Sequence, residues 1–210
     1  MEFSFFLKVF AALFAIMNPF ANLPVFLSLT DDRDEAGKRA VAVTTFIGIA
    51  VGSVIVFFAG EAVLKVFGIG LDDFRLAGGF LILLIAISML HGSQSSSHAG
   101  TAKEQDHQAA QDNPAIYPLT VPILLGPGTI STIIIFRHQA HSPAMDIAVA
   151  AALAAIVVLL GVFFLAGPAL GRLLGQTATS VMSRLMGMIL AAIAMEMMVS
   201  SLKTLWPGLA

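Results

Sequence analysis

The chain has 210 residues, 58% hydrophobic and only 11% charged, with a mean hydropathy of +0.91. A soluble domain runs near about 25% charged, so composition argues against a water-soluble enzyme, and a net charge of −2 leaves no basic field for a nucleic-acid partner. The absence of cysteine removes disulfides, thiolate metal sites and thiol redox chemistry together.

Charge-free intervals run over 9–30, 40–60, 76–102, 113–136 and 147–171, and a sixth apolar stretch from Val181 to Leu202 is interrupted only by Arg184 and Glu196. About 20 apolar residues in a helix cross a bilayer core. Only helices and closed barrels satisfy their backbone in lipid, and these runs are continuous rather than alternating. The sequence therefore predicts an all-α membrane protein with six transmembrane helices, over 5–29, 40–62, 74–91, 117–137, 146–168 and 181–203. The first is read as a retained span, not a signal peptide, because it opens with Glu2 and carries Asn18, Pro19, Asn22 and Pro24 in its second half. After it, DDRDEAGKR (31–39) reads as a helix start with Asp32 and Glu35 spaced as a capping box, and Asp72 and Asp73 precede the third span.

The polar stretch 92–115 is too poor in large apolar side chains to offset its ordering entropy and predicts a flexible linker between residues 1–91 and 116–210. His91, His98 and His107 have no metal-ligand spacing, so no metal site is expected. Lys8, Lys65, Arg75, Arg137 and Lys203 fall on one side of the membrane, and Arg33, Lys38, Arg39, Lys103, Arg172 and Arg184 on the other. That margin of one leans towards both termini outside.

The two halves repeat. AGEAVLKVFG (59–68) lies on AGPALGRLLG (166–175) at an offset of 107, RLAGGFL (75–81) lies on RLMGMIL (184–190) at 109, and Pro19 lies on Pro127 at 108. Each block joins a span to the one three further on, which predicts an inverted 3+3 repeat, a plan on which alternating-access transporters are built with the binding site at the midplane. The best pointer to such a site is a pair of interrupted spans in matching places. NPFANLP (18–24) interrupts the first span and VPILLGPGTIST (121–132) the fourth. Each Pro deprives the carbonyl four residues earlier of its donor, which leaves the carbonyls of Ala15, Phe20, Pro118 and Ile123 to find another.

Half-helices that restart after a break direct their positive ends at the midplane and suit a carboxylate, while freed carbonyls suit an ammonium or a small cation. Asn18 and Asn22 share a helix face, and Thr129, Ser131 and Thr132 add hydroxyls. A site with both kinds of end and no charge of its own fits a small zwitterion. The plainer reading is that the prolines kink packed helices and the Asn side chains cap the freed carbonyls.

NPFANLPVFLSLT, FRLAGGFLILLIAISML, VPILLGPGTIST and SRLMGMILAAIAMEMM resemble the MarC family of bacterial inner-membrane proteins, classed as neutral amino acid transporters, and the likeness covers all six spans. The resemblance implies a multi-pass, transporter-like protein of the bacterial inner membrane. Some relatives are associated with glycine and alanine. Carried over position by position, the motif residues are Asn18, Pro19, Asn22, Pro24, Gly126, Pro127, Gly128 and Thr129. Relatives often place an amide where this chain has Glu196. Thiol-relay membrane proteins share the paired Pro motifs but carry a cysteine beside each, where this chain has Phe20 and Gly128.

The function expected is a gradient-driven secondary transporter of small neutral amino acids, without cofactor, using Na⁺ or H⁺ as coupling ion, with Thr132 joining the motif residues in the substrate site. Glu196, the one acidic residue well inside a span, is the candidate coupling carboxylate; its plainer reading is a bond to Ser200 or a reach towards Lys203 on the same helix face. Gly48 with Gly52, and Ala151 with Ala155, are small-residue pairs for close helix packing. Arg75 and Arg184, related by the repeat, read as interface anchors or ligands of lipid phosphate. Two alternatives stand beside the transporter: a non-transporting accessory or structural membrane protein, and an exporter of other small solutes. No enzyme motif is present.

Overall fold

A computed structural model describes residues 2–91 and 114–206. Eight helical segments follow one another: α1 Glu2–Met17, α2 Pro19–Leu29, α3 Glu35–Val66, α4 Leu71–Leu90, α5 Ala115–Leu124, α6 Pro127–Gln139, α7 Pro143–Leu165 and α8 Gly167–Leu205. No strand occurs among the described residues. Five spans are long and apolar enough to cross a membrane, α1 and α2 together forming one of them, and α5 with α6 makes a sixth, bent by 56°. All residues of the expected linker except Pro114 and Ala115 lie outside the described residues. Ala115 belongs to α5 and is fully buried, so the fourth span begins two residues earlier than the sequence predicts.

The medium around the bundle is written on α3. Its inner stripe of Ala42, Thr45, Ile49, Ser53 and Gly60 is buried, while Val43, Ile47, Val51, Val54 and Phe58 are exposed on the opposite face. Both faces are apolar, as a helix between a protein core and lipid requires. The charges sit at the ends. Arg137 bonds Asp146 at 2.6 Å and lies over the Phe57 ring, and His138 meets Glu61 at 2.5 Å. These contacts tie the end of α3, the end of α6 and the start of α7 together on one side of the bundle.

The broken pair α5–α6 runs parallel to α3. Thr45 bonds the Ala115 carbonyl at 3.4 Å at one end, and Glu61 meets His138 at the other. In between, the backbones of Gly48, Gly52 and Gly60 lie against Thr120, Leu125 and Ile134. Thr45 to Glu61 spans about 24 Å of helix, most of the bilayer core of about 30 Å. The bend thus interrupts a crossing and does not fold it back on itself. Of the two small-residue pairs, Gly48 and Gly52 admit this neighbour closely. Ala151 is exposed, and the buried face of α7 runs instead through Ala152 and Ile156.

Beyond that pair, α4 packs on α8, α1 and α3 on α7, α2 on α8, and α6 on α4. Phe26 of α2 stacks on Phe164 of α7 with centroids 5.0 Å apart, and both rings are buried in the core.

Two helix starts differ from expectation. Asp34, not Asp32, caps α3, its carboxylate accepting from the Gly37 N–H at 2.8 Å. Residues 30–33 are occupied by a turn, with Arg33 N–H bonded to the Thr30 carbonyl, so the helix starts later. The fifth span, α7, ends at Leu165, and α8 starts at Gly167 and Pro168 instead of at 181. Proline in the first turn suits a helix start. Gly175, at φ 59°, breaks α8 in its first part, and the stretch that follows, Thr177–Leu205, is the sixth span.

Candidate substrate site at the two helix breaks

Pro19 carries no N–H, so α1 ends at Met17 and α2 restarts one residue later. Asn18 is the joint. It has a positive φ of 29°, a conformation that asparagine tolerates better than most side-chain-bearing residues, and it is 2% exposed. Its Oδ1 accepts from the Ala21 N–H at 3.1 Å, capping α2. Asn22 Nδ2 donates to the Met17 carbonyl at 2.7 Å. The amides thus do the capping that the plainer reading assigns them, with one remainder: Asn18 Nδ2 is buried without a hydrogen-bond partner among the described residues. Pro24 is half-buried inside α2, beyond the break.

In the second break, Pro118 and Pro122 disfavour helical geometry in the residue before each. Tyr117 and Val121 are accordingly extended, and both peptide bonds that follow them are cis. The coil is held by wide-spaced bonds: Leu119 N–H to the Pro114 carbonyl, Leu125 N–H to that of Thr120, and Thr120 Oγ1 to that of Ala115. Gly126 then turns the chain so tightly that a side chain there would strike the Pro122 carbonyl. α6 opens on Pro127 with no side-chain cap. Thr129 Oγ1 reaches back across the break to the Leu124 carbonyl at 2.8 Å, and Thr132 and Ser131 bond the Gly128 and Pro127 carbonyls at the same distance. The carbonyls served by side chains at the two breaks are therefore those of Met17, Ala115, Leu124, Pro127 and Gly128, none of them among the four that simple proline bookkeeping names.

The breaks adjoin. A methyl placed on Gly128 would lie 3.3 Å from Ile82 and 3.7 Å from Ile16, the penultimate residue of α1. Through Ile16 and Gly128 the end of α1, which leads into Asn18, Pro19 and Asn22, meets the first turn of α6, which follows Gly126 and holds Pro127, Gly128 and Thr129; Ile82 of α4 lies against the same glycine, and Thr132 is one turn further along α6. The site is closely packed, and its free polar capacity consists of Asn18 Nδ2, the uncapped N-terminus of α6 and the lone pairs of the threonine hydroxyls.

Glu196 is not part of it. Its Oε1 bonds Lys8 Nζ of α1 at 2.8 Å on the outer surface of the bundle, both side chains more than half exposed. The i+4 and i+7 partners expected on its own helix lose to a cation on the neighbour that packs against it. Ser53 was missed. It lies on the buried face of α3 beside Gly52, which packs on Leu125 at the second break, and its hydroxyl has no partner among the described residues. The available signal was a polar residue in register with Thr45 on the inner stripe of α3.

A multi-span helical bundle whose discontinuous helices meet inside it defines a polytopic integral membrane protein. The chain belongs to the MarC family of integral membrane proteins, whose family model matches residues 3–206. It is 33% identical over 208 residues to the UPF0056 membrane protein YhcE of Escherichia coli, covering 99% of this chain and 96% of that one. It is 34% identical to the UPF0056 membrane protein YvbG of Bacillus subtilis, covering 100% and 99% of the two chains. With the UPF0056 membrane protein MJ1677 of Methanocaldococcus jannaschii the identity is 36%, over 97% and 98%. No solved structure matches.

Proposed function

We propose that the protein is a gradient-driven secondary transporter of small neutral amino acids in the bacterial inner membrane. The observation that carries this reading is Asn18: a buried amide at a helix break whose Nδ2 group has no partner among the described residues, two residues after Ile16, which packs on the uncapped first turn of another broken helix. Together they suit the carboxylate of a zwitterion. The carbonyls and hydroxyls of the two breaks suit its ammonium. The pairing of spans supports the same reading, because first with fifth, second with fourth and third with sixth is a set that exchanging each span with the one three further on preserves, as an inverted 3+3 repeat would require. Coupling would use H⁺ or Na⁺. Glu196, released from Lys8, remains the candidate carboxylate for a proton.

The test is uptake of labelled glycine, alanine and serine into proteoliposomes under imposed Na⁺ or H⁺ gradients. Saturable flux that disappears in Asn18→Leu is the expected result. Absence of flux from folded protein under every gradient would refute the proposal. The reading that specific observations favour next is a non-transporting membrane protein, since Asn22 and Thr129 serve backbone carbonyls as packing devices would. On that reading, Asn18→Leu lowers stability with no flux to lose. Flux of solutes other than amino acids would instead point to an exporter of other small molecules.

A further inference from the structure

Arg75 stands at the start of α4, on the stripe that continues through Gly78, Gly79 and Ile82, and its side chain is only 11% exposed. Nη1 donates to Asp72 Oδ1 at 3.1 Å, while Nε is buried with no partner among the described residues. Ser201 is fully buried on the inner stripe of α8 with Leu190 and Ala194, and its Oγ also has no partner among the described residues. The register of the two helices brings these groups to one level. Gly187 packs on Ala86 and Met89, and Gly79 packs on Ala194, Met197 and Met198. In this antiparallel pair, Arg75 lies one turn before Gly79 and Ser201 about one turn after Met197.

Buried donors without acceptors are exceptions that call for an explanation. The free edge of a guanidinium is a fork that matches a planar, two-oxygen anion, and a serine hydroxyl beside it adds another donor. Asp72 changes what that anion can be. It already neutralises Arg75, so a bare carboxylate would bring an uncompensated charge into a partly buried site. A zwitterion would not: its carboxylate would take Arg75 Nε and Ser201 Oγ, and its ammonium the second oxygen of Asp72, which is 29% exposed.

We infer that Arg75, Asp72 and Ser201 form a second binding station for a small α-amino acid, at the end of the α4–α8 seam. The choice of an amino acid rests on the transport reading above, although the donors and their register do not. The station is separate from the breaks, because Ile82, which meets Gly128, is seven residues along the same stripe, about 10 Å away. Between them the Ser131 hydroxyl approaches Gly78 closely enough that a methyl there would lie 2.7 Å from it, so polar groups mark the way from the station to the breaks.

The experiment is equilibrium binding of labelled glycine to the purified protein carrying Asn18→Leu, which removes the spare amide at the breaks. Glycine should bind, with acetate and methylammonium competing poorly because each supplies one end only. Ser201→Ala should weaken glycine by about tenfold, the weight of one hydrogen bond to a charged group. Ser201→Thr should restore it, and Arg75→Lys, which keeps the charge and loses the fork, should abolish it. The serine pair leaves the Arg75–Asp72 bond untouched, so the result stands even if Arg75→Lys does not fold. Absence of glycine binding, or affinity unchanged by Ser201→Ala, would overturn the station. Binding that depends on Arg75 and Ser201, in a protein that shows no flux without Asn18→Leu, would overturn the transport reading and leave the station in place.

Discussion

At Asn18 one side chain sets the backbone, caps a helix and keeps a donor in reserve, and substitutions separate these roles. Glycine accepts the positive φ and substitutes for an asparagine cap at a cost of a few tenths of a kcal/mol, whereas alanine loses about 0.5–2 kcal/mol as a cap and is strained at that φ. Asn18→Gly is therefore expected to unfold close to wild type in detergent and Asn18→Ala clearly earlier, while both lose substrate flux. Equal stability of the two would mean that the cap and the φ carry no weight. Thr129 poses the complementary case. Its hydroxyl serves the buried Leu124 carbonyl across the second break, so Thr129→Val leaves that acceptor unsatisfied. A loss of about 1–3 kcal/mol is expected, and Thr129→Ser should recover most of it in the same unfolding assay.

Among the elements, the closest fit is between α3 and the irregular α5. A methyl on Gly48 would lie 2.7 Å from Thr120 Oγ1, and one on Gly52 would collide with Leu125. Gly52→Ala is expected to destabilise by about 1–3 kcal/mol, as overpacking does, while Ala151→Leu, on an exposed face, should be nearly neutral in thermal unfolding. The α1–α8 contact offers a cycle of its own. Removing Lys8 or Glu196 alone leaves the other charge unpaired at the apolar surface, so Lys8→Met with Glu196→Met should be more stable than either single change. These elements also show what a sequence tells and conceals. Charge-free runs locate the spans, because lipid penalises charge at any position along a helix. The prolines locate both breaks, because a missing N–H is a local defect. The Asp34 cap and the early start of α8 were hidden because a turn and a Gly-Pro pair, not hydrophobicity, set those boundaries. The Lys8–Glu196 pair and Ser53 depend on which helices become neighbours, and no local pattern encodes that.

For the whole molecule, the consequential question is whether α5 and α6 together cross the membrane once. If they do, the chain makes six crossings and its two ends lie on the same side. If they dip in and return, five crossings put the ends on opposite sides. The contacts along α3 decide for a crossing, since Ala115 is held at Thr45 and His138 at Glu61, with about 24 Å of helix between those two points. The native chain has no cysteine, so a single introduced one is an unambiguous reporter. Phe3, 73% exposed at the start of α1, and Trp206, 59% exposed at the end of α8, mark the ends. Asp31, exposed in the turn after α2, marks the opposite face. With a membrane-impermeant maleimide on intact spheroplasts, Phe3→Cys and Trp206→Cys should label alike and Asp31→Cys oppositely. Labelling of both Phe3→Cys and Trp206→Cys would fit the cation count, which leans towards termini outside. Labelling of Phe3→Cys and Trp206→Cys from opposite sides would make the fourth segment re-entrant, and the pairing of the two breaks as equivalent halves of an inverted repeat would fall with it.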